Sequence, residues 1–110
     1  KRELIATAFH ELGHRCEYLT KDIIHLERAW YARRTAGEQL SHLGRGYDPW
    51  EMSRKDKFVE PYIGKDYGGR AYEIVSMGFE ELLGGESRYG IWDNDPDMAE
   101  FILGVLLGAK

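Results

Sequence analysis

Two histidines four residues apart, His10 and His14, enclose Glu11 within a stretch of helical hydrophobic spacing, and no other feature constrains the chain as much. Residues four apart on a helix lie one above the other. The pair can therefore present two imidazole nitrogens to one ion at the bond length of about 2.0 to 2.1 Å usual for zinc. Glu11 is displaced by one residue around the helix. It falls beside such an ion rather than at it, where a carboxylate can take a proton from metal-activated water. A catalytic zinc keeps three protein ligands and an open position for water. The spacing predicts Zn2+ as cofactor, His10 and His14 as two ligands, and Glu11 as general base.

A chain of 110 residues suffices for one small core, so residues 1–110 are read as a single domain. With 43% hydrophobic and 31% charged residues the composition is that of a globular protein, and no apolar run approaches the roughly 20 residues of a membrane span. Neither a membrane nor nucleic acid is an expected partner. The formal charge is -4, and the basic residues are scattered among acidic ones instead of forming a cationic face. The single cysteine, Cys16, rules out disulfides within the chain and reads as a small core residue, which leaves histidines and carboxylates to hold a metal. Lys1 is not an initiating residue, so the sequence is read as a segment of a longer protein.

Periodicity predicts four helices. The first runs from Arg2 to about Leu19 and turns Ile5, Ala8, Phe9, Leu12 and Cys16 inward. A second follows Thr20 and Asp22 as far as Arg34, with Ile23, Leu26 or Glu27, and Trp30 on one side. Residues 37–69 are broken repeatedly by Gly and Pro; Phe58 to Ile63 reads there as a short edge strand in a hairpin with Tyr47 to Met52. A third, nearly all-apolar helix spans Arg70 to Leu83 and stops at Gly84-Gly85, and Asp95-Pro96 opens a last helix that buries Phe101, Ile102, Val105 and Leu106. The aromatics Trp30, Trp50, Tyr62, Phe79 and Trp92 are expected in the core.

A carboxylate rarely enters an apolar helix without a partner, so the third ligand is sought among Glu73, Glu80 and Glu81. Glu73 and Glu80 share a face but stand two turns apart, roughly 10 Å, too far for one ion to use both. Glu73 is preferred because it follows the glycine-rich approach and precedes Ser76 by three residues. His42 is an alternative ligand from the loop region, and His25 reads as a surface residue.

With Glu73-Ile74-Val75-Ser76 following at a distance, His10-Glu11-Leu12-Gly13-His14 resembles the gluzincin group of zincin metallopeptidases, whose third ligand lies in a comparable Glu-x-x-Ser. Thr7 matches the Thr or Val common three residues before the first histidine. Arg15 departs from the usual uncharged residue, Tyr72 stands where thermolysin-like enzymes have Asn, and Met77 where they have a histidine-orienting Asp. That orienting role stays open among Asp66, Glu80 and Asp93. The resemblance to lethal-factor-like members implies a tyrosine that stabilises the oxyanion, for which Tyr67 is the best match ahead of Tyr62 and Tyr72. The stretch from Lys57 to Tyr67, continued by residues 73–80 and Asp95-Pro96-Asp97, is also similar to metallopeptidase-like regions of phage structural and head-morphogenesis proteins.

The resemblance implies a mainly α, α+β fold: a zincin-like helical core with a short β-hairpin. Zincins lay a sheet before the active-site helix, and only nine residues precede His10 here, so that sheet is expected to be reduced or missing, replaced by residues 37–69, or completed by another segment or chain of the parent protein. The implied activity is zinc-dependent hydrolysis of a peptide or protein substrate, in a cytoplasmic or virion-associated setting. Two rival expectations stand beside it. One is a non-catalytic zinc-binding or assembly module of a phage structural protein or toxin; the other is a plain helical interaction domain.

Overall fold

A computed structural model of the chain describes residues 2–84 and 88–108, with side chains from Leu4 onward. Its frame is helical: α1 (Arg2–Leu19), α2 (Lys21–Arg34), α3 (Ile74–Leu83), a four-residue α4 (Ile91–Asn94) and α5 (Pro96–Gly108). The single sheet among the described residues is a two-stranded antiparallel hairpin, β1 (Ser41–His42) with β2 (Met52–Ser53), in which Ser41 faces Ser53 and His42 faces Met52.

α1 and α3 lie against each other antiparallel and unusually close, because glycines stand where they touch. A Cβ on Gly13 would come within 2.5 Å of Ser76 Cα, and one on Gly84 within 3.0 Å of Ala6 Cα. These contacts set the register, pairing 13 with 76 and 6 with 84. The same register brings His10 opposite Glu80 and Glu17 opposite Tyr72. α3 is buried from Ile74 to Phe79. Its other side packs on α5, where Gly78 leaves room for Ile102. Trp30 of α2 stacks on Phe101 of α5 at 5.1 Å between ring centres. Arg34 also ties α2 to α5 by pairing with Asp95 at 2.9 Å, while Asp95 caps α5 by accepting the Met98 N–H at 3.1 Å.

Several sequence expectations are corrected. The inward face of α1 carries Phe9, Gly13, Cys16 and Glu17, whereas Ile5 and Leu12 are about half exposed and Ala8 is exposed. Close approach at Gly13 chooses the buried face, and hydrophobicity does not. On α2 the buried alternative is Glu27, not Leu26. No strand forms over residues 58–63. Pro61 has no N–H to offer a ladder and instead opens a 3-10 turn, Pro61–Gly64, after Glu60, whose side chain accepts the Tyr62 N–H. The hairpin accordingly pairs 41–42 with 52–53. α3 begins at Ile74 instead of Arg70, since residues 70–73 are held by side chains of α1 and by turns. It ends at Gly84; Gly85 lies outside the described residues. Trp30 and Phe79 are in the core and Tyr62 is half-buried against it, but Trp50 and Trp92 are exposed. α5 buries Ile102 and Val105 as expected, with Phe101 and Leu106 packed at the margin.

Candidate metal centre

The register of α1 on α3 delivers both histidines to one carboxylate. Glu73 Oε1 lies 3.1 Å from His10 Nε2 and 3.0 Å from His14 Nε2. One donor atom from each residue falls within 4.8 Å of the others. Tetrahedral ligands at about 2.05 Å from zinc stand roughly 3.3 Å apart, so the observed spacings fit one small cation. Two imidazoles and one carboxylate are a donor set that can hold a metal ion.

Each donor is fixed from behind. His10 Nδ1 is 2.8 Å from Glu80 Oε1, which leaves Nε2 facing Glu73. Glu17 Oε1 lies 3.9 Å from His14 Nδ1, an ion-pair distance. The Ser76 hydroxyl is 3.1 Å from Glu73 Oε1, and the Tyr67 hydroxyl donates to Oε2, the oxygen turned away from the histidines. Tyr62 in turn lies 3.3 Å from Tyr67, oxygen to oxygen.

Charge follows geometry. Burial pushes the Glu73 carboxyl up, but hydrogen bonds from His10, His14 and Tyr67 outweigh it and hold the group well below the usual carboxylate range. Glu17 first, and then Glu73, raise the His14 imidazole to about 10. Glu73 is also the main cause of the upward shift at His10, with Glu80 adding to it against burial. Burial and the neighbouring Glu73 keep Tyr67 protonated well above its ordinary range, so it remains a donor.

The structure thus brings together His10, His14, Glu73 and Tyr67. Glu11 is exposed on α1, one residue from His10. His42 bonds within its own loop, accepting the Gly44 N–H at Nδ1 and reaching the Asp48 carbonyl from Nε2 at 2.8 Å. His25 is exposed, and its Nδ1 lies 3.3 Å from Arg28. Asp66 faces Arg54, and Asp93 is exposed. Of the carboxylates left open for orienting a histidine, Glu80 takes the place. Glu81 accepts the Tyr89 and Ile91 N–H groups and serves the start of α4. Sequence reasoning missed Glu17, three residues after His14 and on the same side of α1; that spacing was the available signal. Glu80→Ala is expected to weaken Zn2+ binding about tenfold, measured by competition with a chromogenic chelator.

Beside His10 opens a cavity of about 360 Å³, bounded by Thr7, Tyr47, Tyr62, Met77 and Tyr89 with the carboxylates of Glu60 and Glu80 and the guanidinium of Arg88. Compared with known protein families, with curated proteins and with solved structures, the chain matches none.

Proposed function

We propose that this chain is a zinc-dependent peptidase in which His10, His14 and Glu73 hold the ion, Glu11 is the general base and a peptide or protein is the substrate. The observation that carries the proposal is the convergence of two imidazole nitrogens and one buried carboxylate oxygen within 4.8 Å of one another, with a glutamate one residue along the same helix. The bound ion would lower the pKa of a water and polarise the scissile carbonyl. Glu11 then accepts a proton as the water oxygen bonds to the carbonyl carbon, and passes it to the amine nitrogen as the C–N bond breaks. Tyr67 is assigned to the oxyanion. As a cation takes up the charge of Glu73, that carboxylate's hold on the phenol weakens and frees the donor. The adjoining cavity offers an aromatic-lined recess for a substrate side chain.

A closed structural site would need a fourth protein ligand. Among the described residues the cluster has three, and both His42 and Asp66 are engaged elsewhere, which favours the open, catalytic reading. The purified protein is expected to hold close to one Zn2+ per chain. Glu11→Gln should keep the metal and lose at least about 100-fold in cleavage of a peptide library. A protein that purifies without metal and keeps its melting temperature after His14→Ala would overturn the reading.

A further inference from the structure

Behind the three ligands, α1, α2 and the approach to α3 meet over a pair of carboxyl groups. Glu27, in the middle of α2, has no exposure (0%). Its Oε2 accepts the Val75 N–H at 3.0 Å, an amide of the first turn of α3. Its Oε1 is buried and meets no N–H or O–H donor. The carboxyl group of Glu17 is its neighbour. Glu17 accepts the Tyr72 N–H at 3.1 Å and faces His14. Two carboxyl groups can bond each other only if one carries the proton. Full burial assigns it to Glu27, and burial foremost, followed by the neighbouring Glu17, holds that group well above the usual carboxylate range. The pair therefore grips the chain at Tyr72 and at Val75, on either side of Glu73, and one member also touches His14.

We infer that Glu27 is a positioning residue: a neutral carboxylic acid that donates a hydrogen bond to Glu17, thereby setting Glu17 against His14 and fixing the backbone that presents Glu73. The inference rests on His10, His14 and Glu73 being a metal centre. It also gives a reason for an acid at the most buried polar position of α2, where an apolar residue would fill the space without polar atoms to satisfy.

Substitutions at position 27 separate the neutral-donor role from simple packing. Glutamine reproduces the acid's bonds, its carbonyl accepting from Val75 and its amide donating to Glu17. Glu27→Gln is expected to bind Zn2+ within about threefold of the wild type and to give the same visible spectrum with Co2+. Glu27→Leu keeps the volume but leaves the Val75 N–H and the Glu17 carboxylate without partners. It should lose roughly 10- to 100-fold in Zn2+ affinity, as removal of groups that orient ligands does, and alter the Co2+ spectrum. Should Glu27→Leu fail to fold by circular dichroism, Glu27→Asp, too short to span both partners, is expected to show the same loss. Glu27→Gln weakened as much as the leucine or aspartate variant would overturn the inference, as would leucine or aspartate binding like the wild type. A wild-type protein that binds neither Zn2+ nor Co2+ would instead remove the metal centre on which it rests.

Discussion

Gly13→Ala should cost the protein about 2 kcal/mol of stability and, with it, most of its affinity for metal. A single methyl at this position would stand 2.5 Å from Ser76 Cα and 2.9 Å from Ser76 N. Both are backbone atoms that cannot rotate aside. Restoring an ordinary contact of about 3.5 Å means moving α1 off α3 by roughly 1 Å, and overpacking of this kind costs up to about 3 kcal/mol. Alanine returns about 0.5 to 1 kcal/mol through its better helix propensity, which leaves about 2. For a domain of this size that is a fall in melting temperature of roughly 8 to 16 °C. The same displacement stretches the 3.0 and 3.1 Å separations between Glu73 Oε1 and the histidine nitrogens toward 4 Å, beyond what one zinc ion spans. Gly104→Ala is the control. It lies exposed in α5 with nothing within 4 Å of the added carbon, and should raise stability by about 0.5 to 1 kcal/mol. If Gly13→Ala melts as the wild type does and binds Zn2+ as tightly, close approach of the two helices does not set the site.

The contrast between these two glycines shows how much the sequence could reveal. The period of four makes His10 and His14 a pair from the sequence alone, and the apolar character of residues 74–79 announces a buried helix in which Glu73 is conspicuous. The α1–α3 register was not legible, because it depends on Gly13 and Gly84 each meeting the backbone of the facing helix, at Ser76 and at Ala6. Once Gly13 meets Ser76 in antiparallel order, Glu80 must fall opposite His10 and Glu17 opposite Tyr72. Glu17 and Glu27 look in sequence like ordinary charges on solvated helix faces. Only the packing of three helices shows that both are buried. The same cause decides the face of α1, where Ile5 and Leu12 look in sequence like natural core residues but Phe9, Gly13, Cys16 and Glu17 turn inward. In residues 37–69 the turn signals were clear, but which short segments would pair was not. Two-residue strands carry almost no periodicity, and their pairing is fixed by distant contacts such as the Tyr31 hydroxyl on the Gly64 carbonyl at 2.8 Å.

Protons and a metal ion are expected to stabilise the centre at opposite ends of the pH scale, and Glu73→Ala should weaken the first effect and abolish the second. With chelator present, the cluster is held by imidazolium and carboxylate. His14 is raised from 6.5 to about 10, so its contribution is complete below about pH 6.5 and is lost as pH climbs toward 10. Glu73 is depressed from its ordinary 4.5, so its contribution is complete above that value and is lost only in stronger acid. The chelated protein should therefore melt highest near pH 4.5 and progressively lower up to pH 10, with Glu27, held protonated by burial, adding a decline of the same sign. Zinc requires neutral imidazoles and competes with those protons, so the rise in melting temperature on adding Zn2+ should grow over the same interval in which the chelated protein weakens. Glu73 is central to both, since its Oε1 faces both histidines. Glu73→Ala is expected to make the decline between pH 6.5 and 10 shallower without removing it, because Glu17, the larger cause of the shift, still raises His14. It should also reduce Zn2+ affinity by more than the roughly 10- to 100-fold that loss of an orienting group costs, and with it the cleavage proposed above. Paired thermal melts from pH 5 to 10, with chelator and with Zn2+, measure both quantities. A Glu73→Ala protein that still gains melting temperature from Zn2+ as the wild type does would move the third ligand away from Glu73.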